Sequence, residues 1–289
     1  MRQALALHPG AEPFPGYCLV QSIGRGGYAE VWETVAPDGG RVALKFMKAQ
    51  DGMAATQEVR AIQALKRLRH ANLLRLYQVW TVPGYVVISM ELAEGSLHDL
   101  LHAYFDEFGT AVPPEQVCRY LGQAARAIDF LNTRVHTYEG KRFAYQHGDI
   151  KPSNILLFGE SAKLADFGLA VPMQSSRAQR SPVGTVEFAA PEVFQGWMTD
   201  RSDQFSLAVT YCMLRGGGLP YQDSPCHFRS APDYVRPRPD LTMLPEPERP
   251  IIAKALSPTP QDRWPTCLRM IEAVSDLYGI SLQEFAMAR

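Results

Sequence analysis

The chain has 289 residues, enough for one large domain or two lobes with a sizeable core. About 46% of it is hydrophobic and 20% charged, and 29 basic against 30 acidic residues leave a net charge of −1. That balance removes any electrostatic reason to expect nucleic acid or an anionic membrane as a partner.

Residues 1–16 read as a flexible lead-in, too short and proline-broken for a signal peptide. β-like runs follow at 17–24, 29–35 and 41–48, the last two bracketing "APDGG", a hairpin signal. Residues 53–70 have helical periodicity, with Val59, Ile62, Leu65 and Leu68 on one stripe. Two more strand-like runs, 73–82 and 84–92, are separated by Pro83-Gly84. After about residue 94 the pattern turns helical, over 96–107, 114–133, 202–215, 247–256 and 265–278. This predicts two lobes, 17–93 and 94–280, joined near Glu91 to Glu94, with 281–289 as a tail. The stretch 219–250 carries eight prolines and reads as mostly irregular surface. The apolar run 205–214 is about half a membrane span, so it predicts a buried helix and no membrane segment within the chain. Cys18, Cys118, Cys212, Cys226 and Cys267 form no C-x-x-C pair, which predicts buried free thiols in a reducing, cytoplasmic setting.

Several residues carry chemistry. "IGRGGYAEVWE" places Gly24, Gly26 and Gly27 between two strands, where the lack of a Cβ lets backbone approach a phosphate. No Gly-Lys-Ser/Thr follows, so this is not a P-loop. Lys45 lies inside the apolar strand "VALKF"; an ammonium directed at nucleotide phosphates there needs a carboxylate, and Glu58 on the next helix is the candidate. "YQHGDIKPSN" holds His147, Asp149, Lys151 and Asn154 in ten positions, and "AKLADFGLA" adds Asp166. Carboxylate and amide oxygens suit Mg²⁺, so Asn154 and Asp166 are candidate ligands. The apolar neighbours of Asp166 argue against an ordinary solvated aspartate. His98 and His102, four apart, lack a third ligand at a sensible spacing and read as a solvated helix face.

In this order the motifs resemble the eukaryotic-like serine/threonine protein kinases, over about residues 17–278. Gly24-x-Gly26-x-x-Ala29-x-Val31 is similar to the family's glycine-rich loop, "VALK" to its lysine strand, Asp166-Phe167-Gly168 to D-F-G and "AAPE" to A-P-E. The resemblance implies an α+β bilobal kinase fold, with a β-rich N-lobe bearing one main helix and a mostly helical C-lobe. It implies a bacterial source. ATP would be held by Ile23, Gly24, Gly26, Gly27, Val31, Ala43, Lys45, Met90, Glu91, Ala93 and Leu156, with Met90 as gatekeeper and Glu91 to Ala93 as hinge. Mg²⁺, or Mn²⁺ in its place, would be held by Asn154 and Asp166. Asp149 would be the catalytic carboxylate, Lys151 would offset charge on the transferring group, and Glu58 would anchor Lys45. Thr185 would join Lys151 in supporting a Ser/Thr hydroxyl, and Glu192 would pair with Arg263. A protein with a Ser/Thr acceptor is the implied partner, autophosphorylation included.

Two departures stand out. Residues 134–146 are longer than the usual link into the catalytic loop, and their charges suggest a surface excursion. Gly148 stands where the family's H-R-D has an arginine that meets an activation-loop phosphate. "HGD" also occurs in kinase-fold small-molecule phosphotransferases, and an ATP-binding pseudokinase scaffold is a further alternative. Lys151 opposes the first, and the presence of Lys45, Asp149 and Asp166 opposes the second. The favoured expectation is an active Ser/Thr kinase without the arginine-dependent switch, whatever the state of Ser175, Ser176 and Ser181.

Overall fold

The computed structural model describes residues 7–26, 29–48, 66–138, 141–179, 184–222 and 234–283. Two compact units emerge, Met1–Arg69 with Leu74–Ala93 and His70–Leu73 with Glu94–Arg289.

In the first unit, β1 (Cys18–Arg25), β2 (Ala29–Val35), β3 (Arg41–Lys48), β4 (Leu76–Val82) and β5 (Tyr85–Glu91) form an antiparallel sheet. Its order is β1-β2-β3-β5-β4. The Asp38-Gly39-Gly40 hairpin forms as its residues predict: Gly39 has φ 81°, and the Asp38 carboxylate accepts from the Gly40 N–H at 2.9 Å. Alternation sends Trp32, Leu44, Phe46 and Val87 to one face, where they join Leu19 in the core. That face accounts for one difference from expectation. Residues 7–16 are not a loose lead-in: Leu7, Ala11 and Phe14 pack on this core, and Phe14 stacks on Trp80 at 4.5 Å. Apolar area outweighs the local proline and glycine signals. Of the helix expected over 53–70, residues 53–65 lie outside the described residues, while 66–70 are turn and irregular chain.

The second unit is built on α1 (Leu97–Phe108), α2 (Pro114–Asn132), α3 (Pro191–Phe194), α4 (Ser202–Gly216), α5 (Arg249–Ala255) and α6 (Cys267–Leu277). Helix α1 begins in a capping box, Ser96 with Asp99, and ends at Gly109 in the left-handed region. In α4 every residue from Ser202 to Cys212 is buried, so the apolar run is a core helix. No described helix is long and apolar enough to cross a membrane. Helix α6 is fixed to α2 by Asp129, whose carboxylate accepts from the Cys267 and Leu268 N–H groups at 2.8 and 2.9 Å. The expected tail is docked at its start, because Leu282 is buried against Gly122.

Short strands are the main addition. β6 (Gly95–Ser96), β9 (Ile155–Phe158) and β10 (Ser161–Leu164) form one sheet. A second holds β7 (His136–Tyr138), β8 (Lys141–Gln146) and β11 (Val171–Met173). β12 (Arg177–Gln179) pairs with β13 (Trp197–Thr199). The 134–146 stretch is therefore only partly a surface excursion. Lys141 and Arg142 are exposed, but Ala144, Tyr145 and Gln146 are buried and pair with β11. Of the proline-rich stretch, residues 223–233 lie outside the described residues; 219–222 and 234–245 are irregular as expected, yet Tyr221, Arg236 and Leu244 are buried. Cys118, Cys212 and Cys267 are buried free thiols, whereas Cys18 is exposed; Cys226 lies outside the described residues. Burial pushes the Cys118 thiol up to about 12.

Candidate active site

The first unit gathers its candidates on one side of the sheet. Gly24 pairs with Val31, Val31 with Lys45, and Ala43 with Met90. Residues directly opposite in an antiparallel ladder share a face, as do i and i+2 along a strand. Gly24, Val31, Ala43, Lys45 and Met90 therefore stand together on the face opposite Trp32 and Leu44. Lys45 is half-buried there, which suits an ammonium carried on a long apolar stem. Gly26 closes the loop by donating to the Ala29 carbonyl at 2.8 Å. Ile23 is 47% exposed, Glu91 ends β5, and the chain leaves this unit after Ala93. Gly27 and Glu58 lie outside the described residues.

The second unit carries the densest polar cluster. Asp149 Oδ1 accepts from the Thr185 hydroxyl at 2.7 Å and from the Thr185 N–H at 3.0 Å. Lys151 Nζ donates to the Thr185 hydroxyl at 2.7 Å and stands 3.0 Å from Asp149 Oδ2. Asn154 Nδ2 donates to the Asp149 carbonyl at 2.7 Å and to its Oδ2 at 3.0 Å. Burial alone would raise the Asp149 pKa. The Lys151 ammonium and the Thr185 hydroxyl outweigh it and hold the carboxyl below its usual range. Asp149 is thus a carboxylate at neutral pH, with 11% of its side chain still reaching solvent.

The sequence named His147 without a role, and the structure supplies one for it and one for Asp203. His147 is fully buried; its Nε2 lies 2.8 Å from the Ala165 carbonyl and its Nδ1 3.3 Å from the Asp149 N–H. A carbonyl only accepts and an N–H only donates, so the proton sits on Nε2. The ring ties the 147–149 backbone to the residue before Asp166. Asp203, on α4, accepts from the His147 and Gly148 N–H groups at 2.6 and 2.9 Å. These two were hard to see because their partners lie 18 to 56 residues away in sequence.

Gly148 has φ 78° and Gly184 φ 107°, both in the region that disfavours side chains. A Cβ on Gly184 would come within 2.8 Å of the Gly148 carbonyl. The two glycines let Thr185 reach Asp149.

Asn154 is buried, and its Nδ2 is engaged by Asp149, so its Oδ1 is the atom suited to a cation. The Ala165 N–H donates to the Asn154 carbonyl at 2.9 Å, which brings Asp166 beside it. Asp166 is the only non-glycine residue with positive φ among the described residues, at 63°. Its side chain is exposed between buried Ala165 and Phe167, unlike the sequence expectation of a shielded aspartate. An amide oxygen and a strained, exposed carboxylate fit a hard divalent cation. Leu156, also expected to touch nucleotide, lies half-buried on β9.

Glu192 and Arg263 meet as expected. The guanidinium donates to both carboxylate oxygens at 2.8 and 2.7 Å, and Ser202 adds a hydroxyl at 2.7 Å. Burial alone would raise the Glu192 pKa, but Arg263 holds it below the ordinary value. Beyond Asp166, Arg177 lies on β12 with its guanidinium 3.6 Å from the Trp197 ring centroid. The Ser175 hydroxyl donates to the Arg177 carbonyl at 2.5 Å, while Ser181 lies outside the described residues. His98 is half-buried and His102 exposed, with their Nε2 atoms 3.3 Å apart.

Residues 17–272 match the family described as protein kinase domain. Serine/threonine-protein kinase PknF of Mycobacterium tuberculosis is 30% identical over 286 residues, covering 92% of this chain and 57% of that protein. CBL-interacting protein kinase 4 of Oryza sativa subsp. japonica is 31% identical over 268 residues, 87% of this chain and 56% of that protein. PTI1-like tyrosine-protein kinase 2 of Arabidopsis thaliana is 32% identical over 209 residues, 68% of this chain and 56% of that protein. The chain thus spans somewhat over half the length of these curated relatives.

Proposed function

Since the chain belongs to the protein kinase family, we propose that it transfers the γ-phosphoryl group of Mg·ATP to serine or threonine hydroxyls of proteins. The hydrogen-bonded triangle of Asp149, Lys151 and Thr185 carries this reading. Asp149 accepts the proton of the acceptor hydroxyl and orients its oxygen. Lys151 brings positive charge to where negative charge develops, held in place by the Thr185 hydroxyl. A lysine two residues after the aspartate and a threonine at the place of Thr185 resemble the pair that supports a Ser/Thr hydroxyl in the family, so the triangle favours a Ser/Thr protein substrate over the tyrosine and small-molecule readings.

Nucleotide would be held by the Gly24–Gly26 backbone and by Lys45, with Val31, Ala43 and Met90 as an apolar wall beside them. Glu58 would anchor Lys45. Asn154 Oδ1 and the Asp166 carboxylate would hold Mg²⁺ or Mn²⁺, which supplies charge neutralisation to the phosphates. Three buried thiols support a reducing, cytoplasmic setting.

Control would not depend on an arginine beside the catalytic aspartate. Gly148 has no charge to offer a phosphate, and the β12–β13 ladder with the Arg177–Trp197 stack already holds Arg177–Gln179. The test is transfer from radiolabelled ATP with Mg²⁺ or Mn²⁺ to a generic protein substrate, and separately to small alcohols and aminoglycosides. Protein labelling that vanishes in Asp149→Asn supports the reading, autophosphorylation included. Transfer only to small acceptors, or ATP binding without any transfer, overturns it.

A further inference from the structure

Arg236 is 8% exposed, in a stretch whose composition suggests surface loop. A buried guanidinium demands partners, because its desolvation is costly and its five N–H donors must be satisfied. Here the acceptors are backbone carbonyls. Nε donates to the Ala189 carbonyl at 2.8 Å, and Nη2 donates to the carbonyls of Val186 and, at 2.9 Å, Glu187. The planar group is also surrounded by rings, 4.5 Å from Tyr221, 5.2 Å from Phe194 and 5.7 Å from Phe205. Burial lowers its pKa, with Tyr221 and Tyr234 opposing that shift. Arginine nonetheless keeps its proton.

The carbonyls that it gathers belong to the 3-10 turn Val186–Phe188 and the residue after it. That turn starts at Thr185, whose hydroxyl and N–H both bind Asp149. Phe188 and Ala189 also line a small cavity together with Asp149 and Thr185. One side chain from the proline-rich stretch therefore grips the backbone that continues directly from the catalytic triangle.

We propose that Arg236 is a positioning residue for the protein acceptor: it fixes the 186–189 backbone beside Asp149, and so sets how the acceptor chain is seated. This inference rests on the protein-kinase reading for its kinetic consequence, but the grip itself does not. Only arginine supplies a flat fork to three carbonyls; lysine keeps the charge and loses the geometry.

The experiment compares wild type with Arg236→Lys by peptide and ATP kinetics, amide hydrogen exchange and thermal unfolding. The KM for the acceptor peptide is expected to rise about tenfold, the loss of one to two charge-assisted hydrogen bonds, with the KM for ATP unchanged. Exchange should quicken at Val186–Ala190 and not in α2. Equal changes in both KM values, or none in the peptide KM, would overturn the proposal. Unchanged exchange at Val186–Ala190 would overturn it even in an inactive protein, while no transfer by wild type counts against the kinase reading alone. If Arg236→Lys does not fold, Arg236→Ala with added guanidinium ion serves: restored peptide KM supports the grip, and no restoration overturns it.

Discussion

Two carboxylates of the second unit are both held ionised against burial, by opposite means. Glu192 meets the fork of Arg263, whose side chain is 0% exposed, and Ser202 completes the set. Asp149 meets a hydroxyl, a backbone N–H and the ammonium of Lys151, which is 24% exposed. A guanidinium fork fixes geometry and closes the site; an ammonium on a flexible stem is a point charge that can follow a moving one. The first arrangement is an anchor, whereas the second keeps a carboxylate both charged and reachable.

The sharpest break in this comparison comes from Asp149→Asn, which should lower phosphoryl transfer about a thousandfold or more with little loss of stability, as read by labelled-ATP turnover and thermal unfolding. Arg263→Met should do the reverse, costing about 3 to 5 kcal/mol because Glu192 is left buried without its partner, as measured by urea unfolding. Lys151→Ala should cut turnover roughly tenfold to a hundredfold, with ATP affinity nearly intact. Acid sharpens the contrast further. Both folded pKa values lie below the ordinary ones, so the stability that they contribute is full above about pH 4.5 and is lost as pH falls through the lowered values. Glu192→Gln should flatten that decline in the urea midpoint. The smallest effect is expected from replacing Ser175, Ser176 and Ser181 together by Ala, which should leave turnover nearly unchanged. A large loss in that assay would mean that phosphorylation governs the segment after all.

The Glu192–Arg263 anchor and the place of Thr185 were legible only through the family resemblance, whereas Asp149, Lys151 and Asn154 also stand out by their spacing. A lysine two places after an aspartate and an asparagine five places after it leave few other uses. The five strands of the first unit were legible as β-like runs of seven and eight residues with turn signals between them. The strands of two to six residues in the second unit were not, since periodicity needs length to show. Arg236 was hidden for another reason: its partners are carbonyls, which every residue carries and no sequence displays. The packing of residues 7–16 was hidden because prolines and glycines there masked Phe14, whose ring stacks on Trp80. The pairing of Lys45 with Glu58 is open to a direct check: Glu58→Gln should weaken ATP binding and turnover together.

The left-handed backbone at Gly148 also sets what a side chain placed there would cost. An arginine placed there would carry about 1 to 2 kcal/mol of backbone strain before meeting any phosphate. Gly148→Arg should therefore yield a protein with a lower urea midpoint that is no more active until its 175–181 segment is phosphorylated.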